Sequence, residues 1–285
     1  MEYFRPKTMR ETLHTIASWK GKARLIAGGT NVLPAIRAKA FDPRALVDLS
    51  HLTGLSFIKD EKKGIRIGGL TTISEIAASR VLQRQAPILS EAANQLGNPL
   101  VRNRATLAGN LADASPAADT AVPLLALEAV VVMEREGGKR RQIPFDQFFI
   151  GPNQTILKPD EIIKEIYFPR SNSNARMAYV KLGLRNAMAI SVVSIAVLME
   201  MEGKKCKKAR IGLGAVAPKP VRAFGVEEML TGREVSKELV EACGEQVKRE
   251  IHPITDIRAS SQYRSSMASA LLGRMIDGTI SGKRK

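Results

Sequence analysis

The chain is poor in the side chains that most often carry chemistry. Its 285 residues include two cysteines, Cys206 and Cys243, and three histidines, His14, His51 and His252. No C-x-x-C pair and no H-E-x-x-H stretch occurs, and the histidines stand far apart. No metal-ligand pattern for zinc or for an iron–sulfur cluster can be assembled, and none is assigned. No Ser-His-Asp set stands out either. Two sparse thiols fit a reducing, cytosolic setting better than a disulfide-stapled one, and their pairing stays open. Aromatics make up 5% of the chain, too few for the stacking platform of a single-strand nucleic-acid binder. The stretch "MEYFRPKTMRETL" lacks the apolar core of a signal peptide. No run reaches the roughly 20 apolar residues of a spanning helix. The longest apolar stretches, "AVPLLALEAVVVM" and "AMAISVVSIAVLM", are broken by Pro123, Glu128 and serines and read as core. The expected location is the cytoplasm, with the inner face of a membrane as the alternative.

Acidic residues are also in deficit: 28 Asp and Glu stand against 44 Lys and Arg, a net charge of +16. Such a field can attract nucleic acid, an anionic membrane, or an acidic cofactor or subunit. The cations are scattered, however. The densest runs are "GGKRRQ" (137–142), "GKKCKKAR" (203–210) and the terminal "SGKRK". The first two fall where hairpin turns are expected, so solvated turns are the simplest reading.

The length suggests two domains and a core that needs no staples. Short apolar strands alternate with helical stretches in the first half. "ARLIAGG" reads as strand then turn, and "TNVLPAIRAKA" as a helix capped by Thr30 or Asn31. "RALVDLS" is a further strand, and "SFIKDEKKGIRIGG" two strands around a turn. "TTISEIAAS" carries a capping box, Thr72 with Glu75. "APILSEAANQL" is an amphipathic helix stopped at Gly97. "VPLLALEA" and "VVVMER" read as helix then strand, and "DEIIKEIYFP" as a closing strand. The polar stretch "PRSNSNAR" (169–176) is the candidate domain boundary. Beyond it, a long hairpin folds at Gly203-Lys204-Lys205. Helices follow near 221–231, 236–250 and 260–277, the last with a stripe of Tyr263, Met267, Leu271 and Met275. Strands and helices in segregated runs indicate an α+β fold.

Anion-binding motifs are the remaining source of chemistry. The P-loop pattern is absent, and "GLGAVA" (212–217) begins like a dinucleotide fingerprint but sits in the expected hairpin strand. Two glycine segments remain, "AGGTN" (27–31) and "TLAGNLADASPAAD" (106–119). Glycine permits positive φ and lets N–H groups converge on an anion. A diphosphate bridging both segments would be held mainly by N–H groups, with help from a helix N-terminus. Either segment alone reads better as a capped tight turn; the two together favour an anion site, because few ligands need two separate backbone cradles.

"AGGTNVLPAIR" and "TLAGNLADASPAAD" resemble the two flavin-diphosphate loops of the FAD-binding medium subunit of molybdenum hydroxylases, the xanthine dehydrogenase and carbon monoxide dehydrogenase family. "IGGLTTISEIAAS", "FFIGPNQTILKPDEIIKEIYFP", "YVKLGLRNAMAISVVSIAV", "IGLGAVAPKPVRAFGVEEMLTG" and "QYRSSMASALLGRMI" extend the resemblance, in order, over nearly the whole chain. It implies a two-lobed FAD-binding domain of the PCMH or vanillyl-alcohol-oxidase-like kind over 1–172, with lobes near 1–55 and 56–172. A smaller α+β C-terminal domain would cover 173–285. Carried over, Ala27, Gly28, Gly29, Thr30 and Asn31 would cradle the diphosphate, and Thr106, Gly109 and Asn110 would form a second cradle. Ser115 and Asp119 would bind the adenosine side or order that loop. Ile163 would lie against the flavin or adenine, and Lys181 near the isoalloxazine. The family usually has Asp where Asn31 stands and a second glycine where Ala108 stands. A Cβ at 108 is costly only if that position needs positive φ.

The resemblance implies non-covalent FAD, since the first loop offers no His or Cys. Molybdenum cofactor and iron–sulfur clusters would lie on a large and a small partner subunit, in a dimer of heterotrimers. The chemistry would be the cofactor's, and no side chain here is assigned as catalytic. The rival readings are a scaffold of the same fold that has lost its flavin, and a basic nucleic-acid-binding protein with steeply salt-dependent DNA retention.

Overall fold

The computed structural model describes residues 1–281, so the basic tail 282–285 lies outside the described residues. Among the described residues, three sheets of three or more strands organise the chain, with a two-stranded ribbon, Phe149–Gly151 and Gln154–Thr155, as a fourth. The first lobe holds a three-stranded parallel sheet in the order Glu2–Phe4, Ala45–Asp48, Ala23–Ile26. Parallel neighbours need crossovers, here the helices Met9–Ser18 and Val32–Arg37. Thr8 caps the first helix by accepting the Glu11 N–H. Its buried Leu13 and Ile16 pack with Val47, Leu49 and Leu52, and Ile162 of the second lobe closes that small core.

The second lobe is a five-stranded antiparallel sheet in the order Ile58–Glu61, Gly64–Gly68, Glu161–Pro169, Val130–Arg135, Lys139–Pro144. Helices from Ile73–Ala78 to Ala121–Ala126 belong to this lobe and share its apolar core. The expected capping box is present: Thr72 accepts the Glu75 N–H, and Glu75 accepts the Thr72 N–H. The run 137–142 is a correction. Only its glycines turn; Lys139–Pro144 is strand, where Arg140 and Arg141 pair with buried Glu134 and Glu161. Cations that looked like turn solvation are the counter-charges of buried carboxylates.

After Pro169 the chain forms a four-stranded antiparallel sheet, Ala175–Leu182, Val193–Glu202, Lys205–Gly214 and Val221–Arg222. The hairpin folds at Gly203, and most of "GKKCKKAR" is strand rather than turn. Val193, Ile195, Val197, Met199 and Met201 face the core made with helices Phe224–Leu230, Lys237–Glu250 and Ser261–Ser281. Ala196 and Leu198 of the same strand belong to the core of the second lobe. Burial on both faces explains an apolar run without polar alternation. The glycines of "GLGAVA" serve this packing: a Cβ on Gly212 would lie 2.2 Å from the Val122 carbonyl oxygen of the helix Ala121–Ala126. In the last helix Leu271 and Met275 are buried, whereas Tyr263 is exposed, so the stripe narrows toward its first turn.

Cys206 and Cys243 are both free and buried. Burial pushes each thiol up to about 11, which holds them protonated and inert.

Candidate functional site

The first glycine segment follows directly from the strand Ala23–Ile26. Gly29 has φ +73, the left-handed region that glycine tolerates best. Gly28 has another reason to lack a side chain. Its Cβ would lie 1.9 Å from the Arg104 carbonyl oxygen, so the backbone leading into the second segment passes against it. The two segments therefore meet, and each forms one wall of a single cleft between the lobes.

That cleft has a volume of about 580 Å³, within the ~300–1,000 Å³ of ligand-binding clefts. Ala27, Gly28, Gly29, Thr30, Asn31, Thr106, Gly109, Asn110 and Ile163 line it. Leu25, Leu49, Leu55, Leu70 and Leu96 supply apolar wall. Arg24, Asn153, Gln154, Thr155 and Lys158 also line it, although sequence reasoning did not select them. The turn "GPNQT" signals a loop, but nothing local says that it faces a cleft. Ser115, Asp119 and Lys181 do not belong to the lining. Ser115 accepts the Ala117 N–H, which orders the loop. Lys181 pairs with Asp119 at 2.6 Å, and Ser191 donates to the other carboxylate oxygen. Burial raises the Asp119 pKa against the opposing pull of Lys181 and Ser191. Buried Tyr179 is driven well above its usual value by desolvation and the nearby Asp119 charge.

The two segments differ in what they offer an anion. Among the described residues, no hydrogen bond engages the N–H groups of Gly28, Gly29, Thr30, Asn31 or Val32. Gly28, Gly29, Thr30 and Val32 are half-buried and Asn31 is exposed, so these donors are open to a ligand entering the cleft, and five consecutive ones along one wall suit an oxyanion. The second segment does not repeat this, which corrects the expectation of two backbone cradles. The Leu107 N–H donates to Thr71 O and the Ala108 N–H to Gly69 O. The Gly109 N–H donates to Thr106 Oγ1 and the Asn110 N–H to Thr106 O. What remains there is the Thr106 hydroxyl proton and the Asn110 side-chain amide, whose Oδ1 accepts from Thr120. Asn31 precedes the helix Val32–Arg37 but does not cap it; its side chain reaches Asp113 instead. Ala108 lies in the helix Leu107–Asp113 without positive φ, so its Cβ costs no backbone strain.

The lining contains no His or Cys, so no side chain of the kind that forms a covalent flavin bond faces the cleft. Among the described residues, no group of three His, Cys, Asp or Glu is placed to hold a metal ion. A cleft between two lobes, apolar on its flanks and with a row of N–H donors on one wall, is of the class that suits a large nucleotide-like anion.

Residues 1–171 match the family described as FAD binding domain in molybdopterin dehydrogenase, and residues 178–279 the CO dehydrogenase flavoprotein C-terminal domain. The carbon monoxide dehydrogenase medium chain of Hydrogenophaga pseudoflava is 32% identical over 97% of this chain and 96% of its own length. The xanthine dehydrogenase FAD-binding subunit of Escherichia coli is 29% identical over 98% and 95%. Among solved structures, the carbon monoxide dehydrogenase of Hydrogenophaga pseudoflava lacking the Mo-pyranopterin moiety aligns with TM-score 0.95. It is 31% identical and covers 99% of this chain and 97% of that one. The chain belongs to the family of FAD-binding medium subunits of molybdenum hydroxylases.

Proposed function

We propose that the chain binds FAD non-covalently in the inter-lobe cleft and is the electron-transferring subunit of a molybdenum hydroxylase complex. The observation that carries this reading is the row of free N–H groups from Gly28 to Val32 along a cleft of suitable size. These groups would hold the diphosphate together with Thr106 and Asn110. Ile163 and the leucine walls would exclude water from the ring systems, and Arg24 and Lys158 offset the Asp113 and Glu161 carboxylates that share the lining. When bound, FAD supplies electron transfer from iron–sulfur clusters on a small partner subunit to an external acceptor. The chain's own part is to bind, orient and shield; no side chain need move a proton. The substrate site would lie on a large molybdenum-cofactor subunit, in a dimer of heterotrimers. The relatives' designation as medium chains supports partners on either side in size. Among the described residues, no helix is long and apolar enough to cross a membrane, and we place the complex in the cytoplasm.

We also divide the chain at 172/173, with lobes at 1–55 and 56–172. The Asp119–Lys181–Ser191 cluster joins the two parts, so Asp119 and Lys181 would act on the cofactor through domain placement. The test is flavin content. The purified full-length chain, or the chain reconstituted with FAD, is expected to retain about one flavin by absorbance. A chain that neither carries nor takes up flavin overturns the proposal and favours the flavin-free scaffold.

A further inference from the structure

The mouth of the cleft carries a cross-link that no cofactor contact requires. Asn31 Nδ2 donates to Asp113 Oδ2 at 2.6 Å, across 82 residues of sequence. Asn31 stands on the first lobe, before the helix Val32–Arg37. Asp113 is the last residue of the helix Leu107–Asp113 in the second lobe. Both line the cleft. The only other close approach of this loop to the second lobe described above is Gly28 against Arg104. That contact lies at the start of the loop, and the Asn31–Asp113 bond at its end.

We propose that Asn31 and Asp113 form a latch that closes the two lobes over the bound cofactor and sets how slowly it leaves. The inference rests on FAD occupying this cleft. The chemistry of the pair is specific. An amide can donate to the Asp113 carboxylate, so the closed arrangement forms without like charges meeting. A carboxylate at position 31 would face Asp113 at hydrogen-bond distance, with an anionic diphosphate in the same cleft, and would favour the open form. A carboxylate acceptor also makes the bond stronger than a neutral pair. Asp113 is a positioning residue in this scheme: it acts on the cofactor through Asn31.

The experiment loads the full-length chain with FAD and follows release on dilution by the recovery of flavin fluorescence. N31A and D113A are each expected to release FAD roughly five- to tenfold faster, the weight of one hydrogen bond whose charge assistance is screened by solvent. The double variant N31A/D113A is expected to be no faster than either single one, because one interaction is being removed twice. N31D is expected to be the fastest. The exchanged pair N31D/D113N restores one donor and one carboxylate, and is expected to return to within about threefold of wild type. FAD-free variants are expected to melt with the wild type, since the bond is exposed. Release from D113A at the wild-type rate, or N31D/D113N as fast as N31D, overturns the latch while leaving FAD binding intact. A lowered melting temperature of FAD-free D113A also overturns it, by making the pair structural. A wild-type chain that holds no FAD overturns both this proposal and the functional reading beneath it.

Discussion

Gly28 and Gly29 are adjacent and do different work. At Gly29 the constraint is conformational, φ +73, and alanine there should cost about 1–2 kcal/mol in urea denaturation. At Gly28 the constraint is space. A methyl group would overlap the Arg104 carbonyl, so Gly28→Ala must push the loop off the second segment. The expected cost is about 1–3 kcal/mol, together with loss of flavin from the purified chain. Retention of flavin by Gly28→Ala at wild-type stability would refute the close approach. Ala108 tests the opposite case. Its helical φ needs no glycine, so Ala108→Gly should lower stability by about 1 kcal/mol without improving flavin retention. The family's preference for glycine at this position is therefore not a demand of this backbone.

Charged residues do their structural work as parts of elements. In the five-stranded sheet, buried Glu134, Glu161 and Glu165 each receive cations from neighbouring or adjoining positions: Arg140 and Lys164, Arg141, and Arg66. Burial opposes ionisation of Glu134 and Glu161, but hydrogen bonds and charge from these cations win and lower both pKa values. The loop before the last helix uses the same device. Asp256 accepts from Arg258 and Arg264, and Arg264 in turn donates to the Val192 and Ala215 carbonyls, tying loop, helix and sheet together. Desolvation is outweighed by these donors and by the Arg258 and Ala259 N–H groups, so Asp256 falls to about 2. A folded-state pKa below the unfolded value means stability that is present above the ordinary carboxylate range and lost as pH falls toward 2. Asp256 keeps about a fifth of its side chain exposed, so screening discounts the effect to about 1 kcal/mol. Wild type should therefore lose its advantage over Asp256→Asn between pH 4 and pH 2, measured as the shift in urea midpoint.

For the molecule as a whole, the flavin-binding part and the C-terminal part share apolar core, the buried Asp119–Lys181 pair and a half-buried cluster in which Glu128 meets Lys208, Arg210 and Arg222. Tyr179, Ala196 and Leu198 belong to the core of the second lobe, and Lys181 bonds to both Asp119 and the Gln95 carbonyl. Lys181→Met leaves Asp119 buried beside Tyr179 without its counter-charge, and should destabilise the chain by about 3 kcal/mol. Pairing it with Asp119→Asn should recover much of that loss in a double-mutant cycle. If Lys181 instead contacted the flavin, Lys181→Met would alter the flavin spectrum at unchanged melting temperature. The +16 charge also has a whole-molecule consequence. Association with an acidic partner should slow as ionic strength rises, measured as an association rate.

Much of this was legible in the sequence by itself, for local reasons. Apolar patterning located the long hairpin and the last two helices; the helix expected near 221–231 begins only at Phe224, because Val221–Arg222 is drawn into the sheet as an edge strand. Thr72 with Glu75 announced a cap that forms, and the paired glycines of 27–31 announced a loop that dispenses with side chains. These features depend on residues a few positions apart. Other features were decided by tertiary structure alone. The second segment's N–H groups are satisfied by Thr71 and Gly69, carbonyls from a turn far upstream, so a glycine-containing motif there is not a free cradle. The cations of 137–142 proved to be partners of buried carboxylates because a strand, not a turn, carries them past Glu134 and Glu161. Asp119 and Lys181 found each other rather than the cleft lining, and Asn31 found Asp113 rather than the helix it precedes. In each case the deciding partner lies on another element, and a sequence pattern fixes which donors and acceptors exist but not which of them the fold has already paired.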